Sequence, residues 1–175
     1  MSGYLELGCR GLLAGVFLVS LAGKLRGRSE YSAFVAATAS MLATGHRRAR
    51  VLAPLTIAAE IAIVGALAVG PAGLLAAAAL LGCFTVALVL ALRRGTTAPC
   101  RCFGASTTPV AVHHVVRNLV LAGLAIAGSV AGYAGAGASL DPAPLDPAAL
   151  VVTALAALVC VLVTVRLDDL VAVLA

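Results

Sequence analysis

The chain has 175 residues, 62% of them hydrophobic and 11% charged, with a mean hydropathy of +1.12. Soluble domains are about 45–50% apolar and about 25% charged, so a soluble globular class is excluded. In so apolar a chain the net charge of +5 sets membrane topology rather than binding nucleic acid, and no nucleic-acid partner is expected.

Several runs reach the ~20 residues that cross a hydrocarbon core as a helix. Helices also satisfy every backbone polar group inside the segment. The predicted fold class is therefore all-α, a multi-pass transmembrane helical bundle in the lipid bilayer, with 1–175 as a single integral membrane domain. Residues 5–23 form the first span. No basic stretch precedes it and it runs into Lys24 rather than a small-residue cleavage site, so it reads as a span and not as a cleaved signal. Residues 30–45 are moderately apolar through Tyr31, Phe34, Val35, Met41 and Leu42. They are too short and too rich in Ser and Thr to cross, and an amphipathic interfacial helix is predicted. Spans at 51–69 and 72–92 follow, joined by a tight Gly70-Pro71 hairpin. The fourth span, 109–133, opens with Thr108 as N-cap and Pro109 at the first helical position. A Gly-, Ala-, Ser- and Pro-containing linker occupies 134–147, and Asp146-Pro147 repeats the same device before a fifth span at 148–165.

Charge placement gives an orientation. Lys24, Arg26, Arg28, Arg47, Arg48 and Arg50 lie between the first and second spans, Arg93, Arg94 and Arg101 between the third and fourth, and Arg166 after the fifth. If 30–45 does not cross, all of them share one side, and the positive-inside rule makes that side cytoplasmic. The expected arrangement is a cell-membrane protein with its N-terminus outside, and with its C-terminus and the Cys100/Cys102 loop in the cytoplasm. Glu6, Asp141 and Asp146 fall on the opposite face.

The loop after the third span contains Cys100-Arg101-Cys102-Phe103-Gly104. A disulfide across a single residue closes a small strained ring, and strained disulfides are more oxidising and more labile. Arg101, nearby Arg93 and Arg94, and the following helix N-terminus all favour the thiolate. Redox exchange is the leading reading, with Cys100 and Cys102 as the catalytic pair. Two inert loop thiols, or a bound metal or other ligand, are the alternatives. With His113 and His114 the pair makes a Cys2His2 set, but structural zinc sites separate paired ligands by two or more residues. Adjacent helical residues also point about 100° apart. No metal is expected, and a histidine serves better as proton partner or interfacial residue.

Helical spacing puts His113 above Arg117 and His114 above Asn118. Arg117 lies about 12 Å along the helix from Pro109, and Glu60 about 13–14 Å from Val51. Ionisable groups inside a bilayer are costly and usually paired, so a Glu60–Arg117 ion pair is expected, with Asn118 as a second donor. Lys24 and Arg10 are expected to snorkel. Cys9, Cys83 and Cys160 read as small packing residues. Gly11-x-x-x-Gly15 and Gly128-x-x-x-Gly132 allow close helix approach.

Together, Lys24 closing the first span, Glu60 within the second, Cys100-Arg101-Cys102-Phe103-Gly104 after the third and Arg117-Asn118 in the fourth resemble the methylamine utilisation protein MauE family, a relative of the DoxX-like membrane proteins. The resemblance runs mainly over 5–135. The family's usual loop reads Cys-Gly-Cys-Phe-Gly, so Arg101 is a departure that adds charge and stiffness. The Ala, Val, Leu and Arg bias suggests a bacterial coding sequence, and the resemblance implies an integral membrane protein of methylamine metabolism, needed for maturation of methylamine dehydrogenase. It also implies a thioredoxin-like protein as partner in disulfide formation, with a low-molecular-weight thiol as the other candidate. In the redox reading the supporting residues are Arg101, His113, His114, Glu60, Arg117, Asn118 and Lys24. A broader analogy to DsbB and vitamin K epoxide reductase suggests a quinone as cofactor. The non-enzymatic alternative is a DoxX-like scaffold or small-molecule-binding subunit whose Cys pair is structural or metal-binding.

Overall fold

A computed structural model describes residues 2–96, 109–138 and 146–174. Six helices follow in order, with no strand among the described residues: α1 Ser2–Leu25, α2 Arg28–Met41, α3 His46–Val69, α4 Ala72–Arg93, α5 Val112–Ala138 and α6 Pro147–Leu174. Five of them are long and apolar enough to cross a membrane. The exception, α2, has 14 residues and so reaches about 21 Å, short of the ~30 Å hydrocarbon core. It packs on α3 and buries Phe34, Val35, Ala37 and Met41. The expected short helix after the first span is thus present, with its apolar face turned partly onto protein.

Boundaries differ from expectation at α5 and α6. The former starts at Val112 rather than at Pro109, and its last turns, through Ala138, occupy the first residues of the expected linker. Pro147 opens α6 as expected, with the Ala148 N–H donating to Asp146 Oδ1 at 3.0 Å. This side-chain cap satisfies one of the orphan donors at the helix start. The Asp146 N–H donates to the Tyr4 hydroxyl at 2.9 Å, tying the start of α6 to α1.

The bundle is organised around α1, which touches all five other helices. One stripe of α1, with Cys9, Leu13, Val16, Phe17, Ser20 and Lys24 at helical spacing, is buried. Another face carries the glycine motif. A Cβ placed on Gly11 or Gly15 would meet Ala157 or Val161 of α6, so α1 and α6 run parallel in close approach. The second motif works against α1 itself: a Cβ on Gly128 would lie 2.6 Å from Cys9 Cβ, and one on Gly132 would lie 2.8 Å from Glu6 and Pro71 atoms. These contacts fix α1 and α5 as antiparallel neighbours.

One expectation is corrected at this end, and another on α4 and α6. Arg10 does not snorkel: Nε donates to the Leu67 carbonyl at 2.6 Å and an η nitrogen to the Ala68 carbonyl at 2.7 Å. Glu6, one turn earlier, pairs with it at 3.1 Å. Arg10 therefore caps the last turn of α3, whose carbonyls have no partner within the helix. Cys9 is a buried packing residue as expected, whereas Cys83 and Cys160 lie exposed on helix surfaces.

Because the crossing helices alternate in direction, the C-terminal ends of α1 and α4 and the N-terminal ends of α3 and α5 share one end of the bundle. Arg26, Arg28, Arg47, Arg48, Arg50, Arg93 and Arg94 gather there. An Arg94 η nitrogen also donates to the Met41 carbonyl at 3.4 Å, joining α4 to α2.

The α3–α4 hairpin has the least room. A Cβ on Gly73 would lie 2.4 Å from the Leu67 backbone nitrogen and 2.6 Å from the Ala66 carbonyl oxygen, atoms that cannot swing away. Gly73→Ala is expected to cost about 1–3 kcal/mol through overpacking and to lower the thermal midpoint in detergent. Gly65→Ala, where a Cβ meets nothing within 4 Å, should leave the midpoint unchanged or raise it. Equal midpoints for the two variants would contradict this hairpin packing.

Candidate functional site

A glutamate interrupts the inward stripe of α3, which runs Ala49, Ala53, Ile57, Glu60, Ile63 and Leu67. Its helical position, shared with apolar neighbours that face the core, carries the carboxylate inward rather than toward lipid. The buried stripe of α1 likewise ends in polar residues, Ser20 and Lys24. The two stripes meet: Lys24 Nζ lies 2.5 Å from Glu60 Oε1, with both side chains at most 1% exposed. Ser20 Oγ lies 3.2 Å and 3.4 Å from the two carboxylate oxygens, to which it can donate.

Aromatic rings complete the enclosure of the lysine. Its Nζ is 4.8 Å from the Phe34 ring centroid and 5.8 Å from that of Phe84. A ring face attracts an ammonium through its quadrupole, more strongly once water is excluded. Side chains from α1, α2, α3 and α4 thus converge on one cation.

This geometry corrects two expectations. Lys24 does not snorkel, and Glu60 is paired with Lys24, not with Arg117. Equal depth placed Glu60 and Arg117 together in the sequence reading. In the fold, however, α3 packs on α1, α2 and α4, while α5 packs on α1 and α4. The carboxylate meets the nearer cation on α1.

Fourth-span residues lie at the same depth. From the Cys9–Gly128 contact, Ser20 is eleven residues along α1 and Arg117 eleven residues back along α5, both about 16 Å away at 1.5 Å per residue. By the same rise His113 and His114 are level with Lys24. His114 and Asn118 are fully buried, one helical turn apart as predicted, and Arg117 is 7% exposed. His114 Nε2 lies 3.2 Å from the Pro109 carbonyl oxygen. A carbonyl only accepts, so Nε2 carries the proton in this contact. The ring of His113 is 4.0 Å from that of His114, but His113 is only half-buried. Neither Nδ2 nor Oδ1 of Asn118 has a hydrogen-bond partner among the described residues. A buried amide in that state costs free energy, so the layer has polar capacity to spare.

Cys100, Arg101 and Cys102 lie outside the described residues. The chain on either side of them does not. Thr96, at the end of α4, donates its N–H to the Ala91 carbonyl at 3.1 Å. Val110 is buried in the core, and Pro109 is held by His114. Both strands of the loop therefore leave the bundle at the end holding the Ser20–Lys24–Glu60 layer.

Sequence reasoning missed Ser20, Phe34 and Phe84 as partners of this layer. Ser20 was readable, lying one turn before Lys24 on the same stripe. The two phenylalanines were not, because their approach depends on how α2 and α4 pack.

The family model described as methylamine utilisation protein MauE matches residues 2–131. No curated protein and no solved structure matches the chain.

Removing one member of a buried ion pair leaves an uncompensated charge, which costs about 3–5 kcal/mol. Lys24→Met should accordingly lower stability in detergent by that amount. Lys24→Met combined with Glu60→Met should recover most of the loss, because no charge is then left without a counter-charge. Thermal unfolding of the two single variants and the double variant forms the cycle that measures the coupling. Strictly additive losses would mean that the two charges do not depend on each other.

Proposed function

Because this chain belongs to the methylamine utilisation protein MauE family, we propose that it is a membrane thiol–disulfide relay. In this reading Cys100 and Cys102 are the exchanging pair. The work is maturation of methylamine dehydrogenase or of another client with paired thiols. The observation that supports it best is the placement of the Cys-x-Cys loop in the chain: both of its ends leave the bundle at the Lys24–Glu60 layer.

A thiolate of a thioredoxin-like partner, or of a low-molecular-weight thiol, attacks the Cys100–Cys102 disulfide. The S–S bond breaks, a mixed disulfide forms and one cysteine leaves as thiolate. A second partner thiolate then displaces the other cysteine. Two electrons and two protons have moved from partner to pair, leaving the partner oxidised. A separate oxidant must accept those electrons to restore the disulfide, and a quinone is the candidate by analogy. Arg101, with Arg93 and Arg94, stabilises the leaving thiolate, since a neighbouring cation lowers a thiol pKa. His113, half-buried, is better placed than the fully buried His114 to exchange the proton. The Lys24–Glu60 pair holds α1 and α3 together at this end of the bundle.

The basic end of the bundle faces the cytoplasm in this proposal, by the positive-inside rule. Lys24 and Arg117 are buried and carry little topological weight, but the exposed arginines at the ends of α1 to α4 suffice. A second reading is a DoxX-like scaffold that binds a small polar molecule, and the buried, unsatisfied Asn118 amide favours it.

Thiol trapping in intact cells separates the two. The relay predicts a Cys100–Cys102 disulfide whose occupancy follows the respiratory state, and mixed disulfides that accumulate in Cys100→Ser or Cys102→Ser. A pair that stays reduced and inert in every condition would leave only the scaffold. Labelling with a membrane-impermeant maleimide tests the orientation, and modification of Cys100 or Cys102 from outside the cell would reverse it.

A further inference from the structure

On one side of the bundle α6 rests on α1 and stands away from α5. The space left is a groove of about 730 Å³. Its walls are apolar: Val116, Val120 and Leu124 on α5, Val159 and Val163 on α6, with Leu12 of α1 as the floor. The valines are about half exposed, so the groove opens sideways to whatever surrounds the bundle. Within a membrane that is lipid.

The groove is polar at one end only. Because α5 runs antiparallel to α1 and α6 parallel to it, Arg117 of α5 comes near the level of Thr164 of α6, with His113 one turn nearer the basic end and Cys160 one turn deeper, and all four line the groove. His113 stands at the end of the apolar span Val112–Gly135. Arg117 is five residues inside Val112, about 7–8 Å from the span end, within reach of a phosphate at the headgroup level by snorkelling. This is also the bundle end where the arginines of α1 to α4 gather.

We propose that the α5–α6 groove is a site for an acidic phospholipid. Its acyl chain lies along the valine walls and its phosphate is met by Arg117, with His113 and Thr164 beside it. Charge complementarity selects the headgroup, since an anion answers Arg117 and a zwitterion answers it less well. Basic pockets between transmembrane helices are suited to such headgroups, and a guanidinium matches a phosphate with two parallel hydrogen bonds. The assignment is independent of the Cys pair, and its test has no thiol readout.

Native mass spectrometry of protein extracted from vesicles of phosphatidylcholine mixed with phosphatidylglycerol reads the occupancy directly. Wild-type protein should retain phosphatidylglycerol over phosphatidylcholine, and its thermal midpoint should rise when phosphatidylglycerol is added. Arg117→Gln should reduce the preference about tenfold, the scale of a charge-assisted hydrogen bond. Val120→Trp should fill the groove and remove bound lipid of both kinds without touching a charge. Arg28→Gln, exposed on α2 and away from the groove, should change nothing. Equal retention of both lipids by wild-type protein, or undiminished phosphatidylglycerol in both Arg117→Gln and Val120→Trp, would overturn the proposal. So would cross-linking of Val120→Cys between two copies, which would place a second chain in the groove.

Discussion

A lysine and a glutamate inside a hydrocarbon slab must be brought together, because each alone is too costly to keep charged there. Lys24 and Glu60 satisfy that requirement at 2.5 Å, with Ser20 within hydrogen-bond distance of the carboxylate. Much of the arrangement follows from this contact. It sets the rotation of α1 against α3, since both stripes must face inward at the same height. It also draws in Phe34 of α2 and Phe84 of α4, whose rings surround the ammonium. A helix too short to cross the membrane thereby gains a defined place in the bundle.

The two ends of the molecule solve different problems. At one end, small residues bring backbones together: Gly128 and Gly132 against α1, Gly73 against the last turn of α3, with Arg10 closing the open carbonyls. At the other, where α4 finishes and α5 begins, buried polar side chains of α1, α3 and α5 share one depth. The first end is closed by tight packing, whereas the second holds the paired Lys24 and Glu60 beside an Asn118 amide that has no hydrogen-bond partner among the described residues. The last helix belongs to neither, resting on α1 with most of its surface turned to lipid.

Much of the fold was legible in the sequence. Hydrophobic runs near twenty residues, Asp146-Pro147 as a helix start and Gly70-Pro71 as a hairpin all depend on local chemistry, and each reappears in the folded chain. The site was legible in its members and not in its pairings. Depth along a helix follows from residue counting, so Glu60 and Arg117 were rightly placed at similar heights. Height is a single coordinate, however, and it does not say which helices are neighbours.

The sequence alone determined that this chain crosses a membrane several times, that its basic residues collect at one end, and that a Cys-x-Cys loop, Glu60 and Arg117-Asn118 mark a family. Those properties reside in composition, period and motif, which are local. Only the tertiary structure decided that Lys24 is the counter-charge, that Arg10 caps α3, and that His114 rather than His113 is the fully buried histidine. These outcomes depend on which helix stands beside which and how far each is turned about its axis. In an interior as apolar as this one, close contacts between small residues set α1 against α5 and α6, while the buried Lys24–Glu60 pair sets α1 against α3.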